Sequence, residues 1–492
     1  MPPSLRGPAC VVAWLLLWAH AVAAAPLVVG SKRFTESYIL GEIVTQTLVA
    51  AGQPAVHQQG LGNTGILEQA LASGAVDVYP EYTGTIVREL LHREGNPSLE
   101  ELNRWLAPRG LKAAVPLGFN NTYALAMPEA LAQKLGVQRI SDLVAQPTLR
   151  LGLSHEFLVR GDGWPALQKA YGLTIAPGSG LDHGLAYDAL AAGQVDIIDV
   201  YSTDAQIGRQ HLRVLQDDRG FFPKYDAVLL MRAGVDEKPL LKLAGRIDEA
   251  RMIALNAQVE LDKQSFAAVA QQFVAGGAGG APESPGFAAR LFAPDLARLA
   301  AQHLALVFGS LAMALLAGVP LGILAWRQPR WSGLLLGAVG MLQTIPSLAL
   351  LAFLIALMGS IGLGPALVAL FLYALLPIVR NTHAGLRGVP EGLAQAAQSL
   401  GLTPGQCLRH VQLPLAMPTL LAGVKTAAVI NVGTATVAAF IGAGGFGERI
   451  VAGLAVNDTA AMLAGAVPSA VLALLVQGVF DRAERRIVRP RP

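Results

Sequence analysis

Two cysteines in 492 residues, Cys10 and Cys407, leave no disulfide framework and no Cys-x-x-Cys metal pair. No Gly-x-x-x-x-Gly-Lys-[Ser/Thr] segment occurs, so the chain has no phosphate-gripping loop and no ATP engine of its own. His155 and His183 lack ligand-spaced partners, so no metal and no cofactor are expected. No nucleophile–base set points to an enzyme. Charge is scarce in the second half. Residues 291–492 hold 13 Lys/Arg and 6 Asp/Glu against 23 and 28 in residues 26–290, and residues 331–379 hold none. These arginines sit beside apolar runs rather than along a polar face. That excludes nucleic acid as a partner and indicates a membrane domain.

What is present falls into two parts behind a leader. Arg6, the apolar run Ala9–Ala19 and the small residues Ala21–Ala25 read as a secretory signal over 1–25, too short to span a bilayer. Residues 26–275 alternate short β-like runs (27–30, 149–152, 195–200, 227–231) with helical patterns (38–51, 66–73, 185–192). Such alternation predicts an α/β fold. A Gly/Pro-rich linker follows at 276–290.

Residues 291–492 contain five apolar runs, at about 304–326, 333–358, 363–379, 417–441 and 459–480, each near the ~20 residues that cross a hydrocarbon core. If the first half is exported, Arg327, Arg330, Arg380, Arg387, Arg409, Arg482, Arg485, Arg486, Arg489 and Arg491 all fall on the cytoplasmic side. The outer loops then hold only Arg449. The positive-inside rule and the leader agree on five spans in a bacterial inner membrane, with the first half on its outer side. Lys425, inside the fourth run, is expected to snorkel or to face a partner subunit.

Tyr79-Pro-Glu-Tyr-Thr-Gly-Thr85 concentrates tyrosine and threonine, and eight of the nine tyrosines lie between residues 38 and 225. Tyrosine faces attract cations that have no hydrogen to donate, quaternary ammonium above all. From Val29-Gly-Ser-Lys-Arg-Phe-Thr-Glu-Ser37 through Thr85 the chain resembles the substrate-binding proteins of glycine betaine/osmoprotectant ABC importers. The resemblance implies a bilobal α/β periplasmic binding protein of type II. It assigns Tyr82, Tyr123, Tyr201 and Tyr225 to an aromatic cage, and Lys32, Thr85 and Arg160 to the carboxylate end of the ligand. Asn121, in Gly118-Phe-Asn-Asn-Thr-Tyr123, takes the place where some relatives carry an acidic residue. Tyr79 and Tyr187 read as core, and Asp199 and Asp204 as capping or hinge carboxylates.

Gln395-Ala-Ala-Gln-Ser-Leu-Gly401, then nine residues, then Val411-Gln-Leu-Pro414 resembles the cytoplasmic coupling loop of ABC importer permeases. The match holds at Ala396, Ala397, Gly401, Leu413 and Pro414 and departs at Gln395, where the pattern has glutamate. The second half is therefore similar to an all-α transmembrane permease. The resemblance implies two copies of a separate cytoplasmic ATPase, a permease homodimer, surrounding lipid and a quaternary ammonium ligand. Thr434 and Thr436 suit helix packing better than a pathway. Choline, carnitine and ergothioneine stay open as ligands. A membrane-anchored receptor without transport is the reading from another class.

Overall fold

The computed structural model describes residues 25–276, 286–455 and 458–488. The expected leader, apart from Ala25, lies outside the described residues, as do most of the expected linker and Arg489 and Arg491. The strands are β1 (Leu27–Gly30), β2 (Ala55–Gln58), β3 (Val78–Tyr82), β4 (Leu111–Ala114), β5 (Tyr123–Pro128), β6 (Leu151–Gly152), β7 (Ile197–Tyr201), β8 (Leu212–Val214) and β9 (Ala227–Arg232). They form two mixed sheets, ordered β2-β1-β3-β9-β4 and β6-β7-β5-β8. β3 and β7 are buried at every residue, as strands covered on both faces must be. Helices Thr35–Ala50 and Thr64–Ser73 make the parallel crossovers of the first sheet. The second starts where Asn63 accepts from Ile66 N and stops at left-handed Gly74.

The chain leaves the first sheet after β4 and returns at β9, so two segments, 115–122 and 215–226, join the lobes. They pair with each other: Asn121 N donates to Tyr225 O (3.0 Å) and Ala227 N to Phe119 O (2.9 Å). A paired double crossing is a natural hinge between two otherwise separate sheets.

In the second half, Leu296–Arg327, Leu363–Arg387, Pro404–Thr434 and Thr459–Arg486 are each long and apolar enough to cross a membrane. The run expected as one span at 333–358 is instead two helices, Pro329–Thr344 and Ser347–Met358, bent by 100°. Pro346 lacks an N–H and disfavours the helical conformation of Ile345, which is extended at ψ 125°. Among the described residues the candidate spans, by length and composition, number four, or five if that pair counts as one. The run expected at 417–441 shifts too, because its helix begins upstream at Leu413 and ends at Thr434. A 3₁₀ turn, Val437–Ile441, follows.

Small residues set the helix spacing. A Cβ at Gly322 would lie 2.5 Å from Thr382 Cβ, and one at Gly423 2.6 Å from Pro377 O. Asn431 Nδ2 donates to Ser310 Oγ (2.9 Å), a buried polar tie between the helices Leu296–Arg327 and Leu413–Thr434. Lys425 finds its partners within the chain. Its ammonium meets Asp481 and Glu484 of the last helix, 3.0 Å from each.

The two halves touch. The Arg33 guanidinium stands 4.9 Å from the centre of the Phe440 ring. Leu61 fits against Gly442, where any Cβ would collide with it. From the other lobe, a Cβ at Gly184 would lie 3.1 Å from Ala455 O. Arg290 pairs with Asp458 at the base of the last span.

Candidate functional site

Lys32, Tyr82, Thr85, Asn121, Tyr123, Arg160, Tyr201 and Tyr225 all line one cavity, together with Phe34 and Glu156. Each arrives from the end of an element or from a hinge segment. Lys32 follows β1, Tyr82 closes β3 and Thr85 ends the helical turn Thr83–Thr85 that follows. Tyr123 opens β5, Tyr201 closes β7, and Asn121 and Tyr225 lie on the two crossings. Arg160 ends the short helix His155–Val159, whose cap Ser154 accepts from Phe157 N. The cavity lies between the lobes and is small, about 20 Å³ in volume.

The aromatic rings pack as a set. Tyr123 lies 5.0 Å from Tyr201 and 5.9 Å from Tyr225, edge-on to the latter at 77°. Phe34 bridges Tyr82 and Tyr201 at 6.4 and 5.3 Å. Burial raises the phenol pKa of Tyr82, Tyr123 and Tyr201, so these rings stay neutral. Two of them already face cations of the chain: Lys32 Nζ is 5.5 Å from the Tyr82 centroid and the Arg160 guanidinium 5.2 Å from that of Tyr123.

Both cations have acidic partners absent from the sequence reading. Lys32 Nζ pairs with Glu81 at 2.5 Å. Arg160 is held in a fork by Asp162, Nε and Nη2 each 2.7 Å from a carboxylate oxygen. Tyr225 Oη donates to the same carboxylate at 2.7 Å. Burial works against the Asp162 charge, but Arg160 outweighs it and holds the carboxyl below its usual range. Among the described residues Arg160 Nη1 comes near Glu156, at 3.6 Å, but makes no hydrogen bond, so it keeps a donor at the cavity that both residues line.

Beneath the rings lies Glu36, a second residue the sequence reading passed over. Its carboxylate accepts from Tyr82 Oη, from Asn121 Nδ2 (2.9 Å), from Thr203 Oγ1 (2.5 Å) and from Asn256 Nδ2 (3.3 Å). Burial pushes its pKa up to about 7 despite these four donors. The signal was available: Glu36, Glu81 and Asp162 each lie within four residues of a named site residue.

Tyr79 and Tyr187 are core, as expected. Asp199 accepts from Ser154 N and Oγ (2.5 and 2.7 Å) and so braces the cap of the Arg160 helix. Asp204 gathers His183 Nε2 (2.9 Å), Tyr187 Oη (2.6 Å) and Tyr201 N (2.9 Å).

In the second half Gln395, Ala396 and Ala397 lie on helix Glu391–Ser399, with Ala397 packed inward. Gly401 turns the chain at φ +84°. Thr403 and Gln406 form a capping box on the next helix. Leu413 and Pro414 then open the long span Leu413–Thr434. Leu400, at the tip, is 82% exposed. The helix–turn–helix thus presents a bare leucine at its point. Thr434 and Thr436 turn their hydroxyls back onto Ile430 O and Gly433 O.

Residues 25–276 match the profile of the substrate binding domain of ABC-type glycine betaine transport systems. Residues 300–489 match the inner membrane component of binding-protein-dependent transport systems. The choline transport system permease protein OpuBB of Bacillus subtilis (strain 168) is 41% identical over 186 residues, 38% of this chain and 85% of that protein. The osmoprotectant import permease protein OsmY of Salmonella typhimurium is 45% identical over 195 residues, 39% of this chain and 82% of that protein. Among solved structures, one described as a glycine betaine/carnitine/choline ABC transporter is 26% identical. It aligns with a TM-score of 0.43 over 51% of this chain and 98% of that one.

Proposed function

Since the chain belongs to the family of substrate-binding domains of ABC-type glycine betaine transport systems, joined here to a binding-protein-dependent inner membrane component, we propose that its first half captures a glycine betaine-like quaternary ammonium compound outside the cytoplasm and hands it to its own membrane half. The chain is a membrane protein and a transport subunit of an osmoprotectant ABC importer. In our reading the binding domain lies on the outer face of a bacterial inner membrane. Two permease halves pair as a homodimer within lipid, and two copies of a separate ATPase dock on the cytoplasmic loops.

The observation that carries this reading is the convergence of four tyrosines and two cations on one cavity between two lobes. A trimethylammonium group cannot donate hydrogen bonds, so ring faces are its best partners, at roughly 0.5–2 kcal/mol each. The Arg160 Nη1 donor and Thr85 suit the carboxylate at the other end. Four ring contacts with one charge-assisted clamp reach the ~8 kcal/mol of micromolar binding. Because Arg160 and Lys32 are neutralised by Asp162 and Glu81, the cavity does not repel a cation. Glu156 on its wall favours choline as the second reading, since choline carries no carboxylate.

Calorimetry on the chain with betaine, choline, carnitine and ergothioneine separates these ligands. Binding of none of the four would refute the cage. Uptake into vesicles that also hold the ATPase separates an importer from a receptor. Binding without uptake, and without co-purification of an ATPase, would leave the receptor.

A further inference from the structure

The break between Pro329–Thr344 and Ser347–Met358 lies in an apolar, uncharged stretch. Irregular backbone at membrane depth is tolerated only where protein buries it or where it lines a water-filled cavity. Here Tyr373, eleven residues into the 25-residue helix Leu363–Arg387, donates its hydroxyl to Ile345 O at 2.5 Å. Beside that bond opens a hollow of about 490 Å³ lined by Gln343, Ser347, Tyr373, Gly433 and Thr434, among others. We propose that this hollow is a transit site for the quaternary ammonium ligand within the membrane half. Tyr373 supplies the ring for the cation, and Gln343 and Ser347 supply the polar wall.

Three observations beyond the hollow support this assignment, which rests on the importer reading. Gln343 and Ser347 make no side-chain hydrogen bond to any of the described residues. An amide left unpaired in hydrocarbon costs several kcal/mol, so these groups need water or a polar ligand. The same bent pair carries exposed Phe353 and Leu357, apolar residues that suit lipid and are not among those lining the hollow. Tyr373 is also the one tyrosine of residues 291–492, and it lies on this wall. No charged residue lines the hollow. Binding there is accordingly weaker than in the cage, as a site must be if its ligand is to leave again.

Two measurements test the site. In vesicles holding the full chain and its ATPase, Tyr373→Phe keeps the ring but loses the bond to Ile345 O, whereas Tyr373→Leu loses both. We expect Tyr373→Phe to retain uptake within about twofold and Tyr373→Leu to lower it at least about tenfold, with ligand affinity of the chain unchanged. Equal losses in both would make Tyr373 only a cap on the bend, and unaltered uptake in Tyr373→Leu would likewise overturn the site.

The second measurement needs no ATPase. In a chain with Cys10 and Cys407 replaced by serine, Ser347→Cys should react at least about tenfold faster than Phe353→Cys with a trimethylammonium-bearing thiosulfonate, because a thiol in lipid stays un-ionised. Equal rates would place Ser347 in lipid and end the proposal. Failure of the unaltered chain to transport at all would instead refute the importer reading, which the labelling contrast does not depend on.

Discussion

The eight residues around the cavity come from six separate stretches between Lys32 and Tyr225, whereas the six of the loop motif, Gln395 to Pro414, come from one stretch of twenty residues. The cavity therefore depends on two sheets, a double hinge and the buried Glu36 hub being in register. The loop depends on little beyond a helix, a glycine turn and a cap. The two regions should fail differently. Damage to the loop is local and should uncouple the machine without touching recognition. Damage at the cavity should be graded, and it should spread through shared partners such as Asp162 and Glu36.

The largest expected effect is at the loop. A Cβ at Gly401 would meet no atom within 4 Å, so the fold has room for a larger residue there. The cost of Gly401→Trp is then backbone strain of about 1–2 kcal/mol at positive φ, plus bulk on a surface that our reading gives to the ATPase. We expect uptake to be lost, ATP hydrolysis to stop responding to ligand, and affinity to change less than about twofold. Gly401→Ala carries the strain without the bulk and should retain part of the uptake. Ligand-stimulated hydrolysis at the normal level in Gly401→Trp would remove the loop from the coupling path.

Next come the rings. Tyr82→Ala and Tyr225→Ala should each weaken binding at least about tenfold, or about 1.4 kcal/mol, by calorimetry. Their hydroxyls reach Glu36 and Asp162, so Tyr82→Phe and Tyr225→Phe separate the ring from the hydrogen bond. A cage keeps most of its affinity in the phenylalanine variants. If phenylalanine and alanine are equally harmful, the hydroxyl network matters and the ring faces do not.

How much of this was legible in the sequence follows the same division. Local features were. β1 falls on the expected 27–30, helix Thr64–Ser73 begins two residues early, and the loop's turn falls at Gly401. Positions set by distant partners were not readable from pattern alone. Resemblance grouped the cage residues, but the reading left out Glu36, whose role comes from Thr203 and Asn256, 167 and 220 residues away. The bend at Ile345-Pro346 was missed for another reason: uninterrupted hydropathy hid a proline that the rule for residues preceding proline would have flagged. Lys425 looked like an unpartnered charge because Asp481 and Glu484 lie more than fifty residues on.

A smaller effect sharpens the reading of Arg160. The substitution Arg160→Ala alone strands the buried Asp162 carboxylate and would damage the fold as well as the site. Removing both, as Arg160→Ala with Asp162→Ala, keeps the charge balance. This pair should cost betaine about three- to tenfold more affinity than choline, since only betaine has a carboxylate for Nη1. Equal losses for the two ligands would make the Arg160–Asp162 pair a brace for the Tyr225 hydroxyl and nothing more.

The smallest expected effect is one of pH, and it probes how far the cavity's supports extend. The His183 ring lies tilted 4.4 Å from the Tyr201 ring and bonds Asp204, which also holds Tyr201 N. Burial works against its charged form, but the Asp204 carboxylate outweighs burial and raises its pKa from 6.5 to about 9. A raised pKa means the folded state binds the proton more tightly than the unfolded chain does. The stabilisation is therefore complete below pH ~6.5 and is lost as pH rises through ~9. The melting temperature of the unaltered chain should fall about 2–4 °C further between pH 6 and pH 9.5 than that of His183→Gln, in which titrations elsewhere are shared and cancel. Ligand affinity should decline over the same window, because Tyr201 loses its charged neighbour's grip on Asp204. Superimposable pH profiles for the two proteins would show that His183 is neutral in the fold, and that the support of the cage ends at Tyr201.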